Sequence, residues 1–169
     1  MGWYYYAGQG KAQGPLWVPA EVSFPELASG EVFKCSAFLD TGAPVTIVPG
    51  RVDSESEGLL FRPGEGVVVD VVTRNGMYRR VTLPASGCVS LASPGQPRKQ
   101  YLTFYCRLVF PGVDVVQKVA FLDVGHIIVG RNIIFQYGGI CCDSQGYKLG
   151  TCFRRRVGVW LKACGLQGQ

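Results

Sequence analysis

The sequence contains little charge, a single histidine and no long apolar run. Charged residues make up 17% of the chain, whereas 47% of it is hydrophobic. This balance excludes a disordered protein, because disordered chains combine low hydrophobicity with high charge. A membrane-spanning helix needs roughly 18 or more apolar residues in a row, and no such run occurs. We therefore expect a globular domain without a membrane span.

The seven cysteines lack the paired spacing that is typical of zinc sites. Cys141, Cys142 and Cys152 could bind a metal, but adjacent cysteines lack the usual separation of about two to four residues. We expect buried thiols there, with no metal and no cofactor. The first residues have neither the basic start nor the apolar core of a signal peptide. The sequence therefore predicts a cytoplasmic protein whose thiols are reduced and mostly buried.

Turn-forming residues are abundant, with 23 Gly and 10 Pro separating Val-rich runs. This pattern predicts an all-β domain with few helices. We divide the chain into an aromatic, Gly-rich arm with little structure at 1–17, a domain at 18–150 and a basic tail at 151–169. The tyrosines at 4–6 are expected to pack on a neighbouring surface, and Arg154–Arg156 to be a solvated basic segment. Nucleic acid is not favoured as a partner of either segment.

The most unusual stretch is Phe38–Pro44, in which Asp40 precedes Thr41 and Gly42 between two apolar runs. A buried carboxylate is costly unless it is hydrogen-bonded. Gly42 permits a sharp turn that brings main-chain N–H groups close to the carboxylate, and Thr41 adds a hydroxyl. An ordinary surface turn is the alternative, since Asp and Gly are common turn residues. The apolar runs on both sides favour a functional acid.

Two further features follow Asp40 along the chain. Val67–Thr73 and Tyr78–Leu83 predict a β-hairpin, because the Asn-Gly pair between them accepts positive φ angles. The predicted turn consists of Arg74, Asn75, Gly76 and Met77. The polar outgoing strand indicates a hairpin that faces solvent or a ligand. Later, the apolar segment Ile127–Ile134 leads into a short helix over Arg131–Tyr137, which the following glycines end.

The order of Asp-Thr-Gly-Ala, Asn-Gly hairpin and Ile-Val-Gly-Arg-Asn segment resembles the retropepsin family, the retroviral-type aspartic proteases. The resemblance covers about residues 18 to 150. It implies a closed β-barrel, the half-fold of acid proteases, with one short C-terminal helix. It also implies a homodimer that acts as an aspartic endopeptidase on peptide or protein substrates.

The resemblance also implies residue roles. Asp40 matches the catalytic aspartate, and Thr41 the residue whose hydroxyl ties the two active-site loops together across the dimer axis. Gly42 and Ala43 match positions that line the cleft. The hairpin turn would be the flap tip. Ile128, Val129 and Gly130 match the second, psi-shaped turn of the family, and Arg131 and Asn132 match the start of the helix that follows that turn.

One contact and one departure follow from the same resemblance. Thr46 and Asn132 match the pair that pins the helix to the active-site strand. Pro44 and Val45, by contrast, stand where the viral enzymes carry acids, so substrate contacts must differ there. The usual ion-pair partner of Arg131 is in doubt for the same reason.

The chemistry requires two acids, because one carboxyl must be ionised to activate water while the other is protonated. One chain offers a single Asp-Thr-Gly turn, so a symmetric dimer would supply the second copy of Asp40. Asp123 is an alternative within the chain, since residues 121–125 echo residues 38–42, but Val124 lacks a hydroxyl. His126 could serve a Ser–His or Cys–His pair, although beside an apolar run we expect it to be structural.

Two other functions stay open on the sequence. A binding or scaffold module could keep this fold without catalysis, and a protease could act mainly on its own chain or fusion partners. The intact Asp40, Thr41 and Gly42 favour the enzyme.

Overall fold

The computed structural model describes residues 4–5, 16–53, 64–72, 75–92, 95, 97–142 and 146–149, and at 4–5, 141–142, 146 and 148 it describes the backbone alone. The strands in this part of the chain are β1 (Tyr4–Tyr5), β2 (Trp17–Ser23), β3 (Val32–Leu39), β4 (Thr46–Val52), β5 (Gly66–Val72), β6 (Tyr78–Pro84), β7 (Gly87–Leu91), β8 (Lys99–Phe110), β9 (Val113–Leu122), β10 (Ile127–Val129), β11 (Ile140–Cys142) and β12 (Gly146–Leu149). Helix α1 (Arg131–Ile134) continues into a 3₁₀ turn, Phe135–Tyr137.

Six strands form a closed barrel in the order β10, β3, β2, β8, β9 and β4. The barrel closes because β10 pairs with β3 on one side and with β4 on the other, through Ile128 opposite Ile47. The prediction of an all-β closed barrel with one short C-terminal helix is confirmed. Gly138 ends the helical segment in a left-handed conformation with φ of 90°, as predicted.

Side chains along β2 and β3 alternate between the barrel core and the outer surface. Val18, Ala20 and Val22 are buried, while the residues between them are exposed. Phe24, Phe104 and Phe121 fill the centre, with ring centroids 5.8 Å apart for Phe24–Phe121 and 5.3 Å apart for Phe104–Phe121. Burying one such side chain contributes about 1.5–3 kcal/mol, so these rings anchor the strands that carry the site.

Strand β10 lies between β3 and β4 and fixes the turn that joins them. It runs parallel to β3, with Val129 beside Leu39, and antiparallel to β4. The turn at 40–45 and the residues after β10 are therefore held at the same edge of the barrel. This is the edge at which the sequence predicts the site.

Strands β5 and β6 form the predicted hairpin, which pairs with the second half of β4. The Asn-Gly pair lies in the turn of this hairpin, where both of its residues could accept positive φ. Among the described residues no non-glycine has positive φ, and Gly76 alone in this turn does, at 72°. Val72 faces Tyr78 at the end of the hairpin ladder, and Arg74 lies outside the described residues.

The two ends of the described chain meet in a second, three-stranded sheet of β1, β12 and β11. Tyr4 pairs with Tyr147, whereas the sequence predicted little structure in the arm. The Tyr147 side chain is buried, and its hydroxyl donates to the Pro111 carbonyl at 2.7 Å. The basic tail and Cys152 lie outside the described residues.

None of the described helices has the length and apolar character needed to cross a membrane.

Candidate active site

The Asp40 carboxylate is oriented by its own turn. The Gly42 N–H donates to Asp40 Oδ1 at 2.8 Å, and the Asp40 N–H donates to the Val129 carbonyl at 2.9 Å. The Ala43 N–H donates to the Asp40 carbonyl at 3.3 Å. The prediction that Gly42 brings a main-chain N–H to the carboxylate is confirmed. A Cβ at position 42 would lie 3.0 Å from Asp40 Oδ1, so a larger residue there would crowd the carboxylate.

The turn is more open than the sequence suggested. Asp40 is half-buried rather than buried, and Thr41, Gly42 and Pro44 are exposed. Within the described part of the chain Asp40 forms no ion pair. The carboxylate is thus held by backbone and remains accessible at the barrel edge.

Thr46 and Asn132 form the predicted contact between strand and helix. Thr46 is fully buried, and both its N–H and its hydroxyl donate to Asn132 Oδ1, at 3.0 and 2.8 Å. The Thr46 hydroxyl also accepts the Gly130 N–H at 3.0 Å. Asn132 Nδ2 donates to the Lys118 carbonyl at 2.8 Å. One amide side chain therefore joins β4, β9 and α1 directly behind the Asp40 turn.

Gly130 allows β10 to approach that turn closely. A Cβ there would lie 2.6 Å from the Val45 carbonyl carbon and 2.8 Å from the Ala43 carbonyl oxygen. The next residue, Arg131, donates its N–H to the Ala43 carbonyl at 2.8 Å. Its side chain is exposed and makes no ion pair among the described residues, which fits the absence of acids at positions 44 and 45.

Asp123 is separated from Asp40 along β4. Leu122 pairs with Pro49, in the middle of that strand, whereas Asp40 contacts Val129, which lies one residue beyond the pairing of Ile128 with Ile47. At about 3.3 Å per residue, Leu122 and Val129 are therefore about three residues, roughly 10 Å, apart along β4. Asp123 is exposed. The register thus does not bring it to Asp40 of the same chain.

Aromatic side chains line the barrel edge beside Asp40. The Trp17 ring lies 5.2 Å from Phe38 and 4.5 Å from His126, between ring centroids, and all three residues are half-buried. Phe38 is the second-last residue of β3 and precedes Asp40 by two positions, so it lies at the end of the strand that leads into the Asp40 turn. Ile128 pairs with Phe38 and is half-buried too. We call Trp17, Phe38, His126 and Ile128 the aromatic wall.

Sequence reasoning missed Trp17 and Phe38, because their proximity to His126 depends on strand register. The only signal in the sequence was that an aromatic residue, Phe38, stands two positions before Asp40. His126 contacts Trp17 rather than a described Ser or Cys, in keeping with the structural role predicted for it. Burial lowers the pKa of His126 below its ordinary value.

The described cysteines are not in disulfides, but they differ in burial. Cys106 is buried, which raises its pKa to about 12, whereas Cys35 is half-buried and Cys88 exposed. The expectation of mostly buried thiols therefore holds for Cys106 alone of these three. The part of the chain that the structure describes contains no cluster of three His, Cys, Asp or Glu side chains suited to a metal. The side chains of Cys141 and Cys142 lie outside it.

No protein-family model matches the chain, and no curated protein matches it. Among solved structures, it is similar to a foamy viral protease–reverse transcriptase in complex with an RNA/DNA hybrid, at 15% identity and a TM-score of 0.39; the match covers 73% of this chain and 12% of that one. It is also similar to a Legionella pneumophila protein of unknown function, at 14% identity and a TM-score of 0.45, covering 75% and 91% of the two chains.

Proposed function

We propose that this protein is an aspartic endopeptidase in which two copies of Asp40, one from each chain of a homodimer, activate the water that hydrolyses a peptide bond. The observation that carries the proposal is the Asp40 turn itself. Its carboxylate accepts a hydrogen bond from the Gly42 N–H at 2.8 Å while remaining accessible. Because a backbone hydrogen bond already orients this carboxylate, it could approach the Asp40 carboxylate of a second chain with little change in the turn.

Two such carboxylates share one proton, because like charges at hydrogen-bonding distance cannot both ionise. The ionised partner removes a proton from water, and the protonated partner donates to the carbonyl oxygen of the scissile bond. Both groups then exchange roles as the tetrahedral intermediate breaks down. No metal or cofactor enters this chemistry.

A dimer is proposed because Asp123, the acid of the echoing segment, is not brought to Asp40 by the register of the sheet. Thr41, Gly42 and Pro44 are exposed in the single chain, so the turn can pack against its symmetry mate. In a two-fold interface the same patch meets itself, which brings equivalent residues near the axis. The Thr41 hydroxyl would tie the two turns together.

The surroundings of Asp40 support a peptide as the substrate. The aromatic wall offers a half-buried apolar surface at the end of β3 that leads into the Asp40 turn, suited to an apolar side chain of the substrate. Antiparallel pairing with β4 directs β5 from Val69 to Val72 towards the start of β4, the end at which the Asp40 turn lies. We propose that the hairpin tip, with Asn75, Gly76 and Met77 exposed, acts as the flap, together with Arg74.

The test is peptide-library cleavage by Asp40→Asn beside Asp123→Asn. The first variant should lose activity by orders of magnitude, whereas the second, an equally conservative change in the echoing segment, should keep it. Far-UV circular dichroism verifies that both fold. Full cleavage by Asp40→Asn would refute the proposal, and a folded wild type that cleaves nothing while binding peptides would favour a scaffold module.

Dilution provides an independent test of the shared site. Specific activity should rise with protein concentration until the dimer is saturated, and sedimentation should show the same midpoint. The rate should be bell-shaped in pH, since one carboxyl must be protonated and the other ionised. A monomer with full activity at all concentrations would contradict the homodimeric site.

A further inference from the structure

The outer face of strands β8 and β9 carries aromatic and basic side chains. On β8 the buried residues Phe104, Cys106 and Leu108 face the core, so Tyr105 and Arg107 between them point outward. Tyr101 lies four positions before Tyr105 and therefore on the same outer side. The rigid core behind this face holds it in a fixed shape.

Each of two tyrosines on this face is accompanied by a lysine. Lys99 Nζ lies 5.5 Å from the Tyr101 ring centroid, and Lys118 Nζ lies 5.7 Å from that of Tyr105. Tyr105 and Lys118 are directly opposite each other in the β8–β9 register, and Tyr105 is 44% exposed. We call Lys99, Tyr101, Tyr105 and Lys118 the Tyr–Lys face.

The charge on this face is not neutralised by acids. Arg107 and Asp114 pair with each other through two hydrogen bonds of 2.8 and 2.6 Å. Neither Lys99 nor Lys118 pairs with a carboxylate among the described residues. An exposed cation–π contact contributes only about 0.5–1 kcal/mol, so both ammonium groups can turn to an anionic ligand.

We propose that the Tyr–Lys face binds single-stranded nucleic acid. Four strand positions separate Tyr101 from Tyr105, about 13 Å, with the buried Thr103 between them, so one base could stack on each ring of the same strand. The neighbouring lysines would neutralise the phosphates between them. An acidic peptide would need the lysines but not the rings, whereas stacked bases use both the rings and the lysines. The site uses none of the residues of the Asp40 turn.

This assignment differs from the sequence analysis, which did not favour nucleic acid. That expectation concerned the N-terminal tyrosines and the arginine tail. The Tyr–Lys face becomes visible only through register, because Tyr105 and Lys118 are 13 positions apart in sequence yet adjacent in the sheet.

The test is fluorescence anisotropy of the full chain with a labelled oligo(dT) and an oligo(U) of about 15 nucleotides. Tyr105→Leu keeps the charge and removes the ring, and should weaken binding by roughly fivefold to over a hundredfold. Tyr105→Phe keeps a stacking surface and should bind much like the wild type. Lys118→Gln should lower the salt-dependence slope by about 0.7, and Lys34→Gln, an exposed lysine elsewhere, should lower it less.

The tail arginines also attract phosphate, so the deciding result is the loss caused by Tyr105→Leu at constant charge. Equal affinity of Tyr105→Leu and wild type would overturn the proposal. So would equal competition by polyglutamate, or ring-dependent binding to anionic vesicles instead of oligonucleotides. Thermal melting identifies a variant that fails to fold, in which case the Lys118→Gln slope decides.

Discussion

Thr46 is the residue whose loss should damage the site most without touching its surface. The Thr46 side chain is fully buried and its hydroxyl makes two contacts, donating to Asn132 Oδ1 at 2.8 Å and accepting the Gly130 N–H at 3.0 Å. Thr46→Val keeps the shape and the β-branched strand preference but removes both contacts.

The cost can be worked out from these contacts. Asn132 Oδ1 keeps the Thr46 N–H as a donor, so the lost hydroxyl bond costs about 1 kcal/mol. The buried Gly130 N–H is left without its acceptor, which costs about 1–3 kcal/mol. We therefore expect Thr46→Val to lower the free energy of unfolding by about 2–4 kcal/mol. Thr46→Ser, which keeps the hydroxyl and loses a methyl, should cost about 1 kcal/mol.

Urea unfolding followed by circular dichroism measures these differences, with the m-value compared to detect changes in the denatured state. Thr82→Val is the matched control, because Thr82 is exposed on β6 and its change should stay within about 0.5 kcal/mol. If Thr46→Val matched Thr82→Val, the hydroxyl network behind the Asp40 turn would not be a stabilising element.

Three other predictions follow from the site. Gly130→Ala should destabilise the fold and abolish peptidase activity, because its Cβ would meet Val45 backbone at 2.6 Å, which unfolding and cleavage assays can measure together. Deletion of Asn75 and Gly76 should impair KM and kcat far more than stability, since the hairpin tip is exposed; unchanged kinetics would reject the flap. His126→Phe should flatten the pH dependence of stability. A histidine whose folded-state pKa is lowered favours folding above its unfolded pKa, about 6.5, and loses that stability as pH falls through the folded pKa. Unfolding curves at several pH values would detect the difference, and identical slopes would contradict it.

Local chemistry made much of this structure predictable. The Asn-Gly pair located the β5–β6 hairpin, and the glycines after residue 137 ended the helix where predicted. Asp40, Thr41 and Gly42 made their turn predictable, because an Asp side chain readily accepts the main-chain N–H two residues on, as it does here from Gly42. The Thr46–Asn132 contact joins residues 86 positions apart, and only the family resemblance made it predictable.

Features set by register could not be predicted in the same way. The alternation in β2 shows which residues face inward, but not that Trp17 lies opposite Phe38. The Asn-Gly pair indicated the β5–β6 turn but not which of its two residues would take positive φ, which is Gly76. Strand pairing across long sequence separations is a tertiary property, and it determined both the aromatic wall and the Tyr–Lys face.

The register also bears on where the second acid comes from. The echo between residues 38–42 and 121–125 suggested an internal dyad, with Asp123 as partner of Asp40. Because β9 runs parallel to β4 while β10 returns antiparallel to it, Asp123 follows the residue opposite Pro49, whereas Asp40 contacts Val129, beyond the pairing of Ile128 with Ile47. Two carboxyls that share a proton must approach within hydrogen-bonding distance, about 2.5–3 Å. Leu122 and Val129, the strand residues beside these two acids, lie roughly 10 Å apart along β4, so the register does not bring the two carboxyls together. If Asp40 works as half of a pair, a second copy of Asp40 is therefore a better partner than Asp123, and the exposed Thr41 and Pro44 are the surface that a second chain would cover.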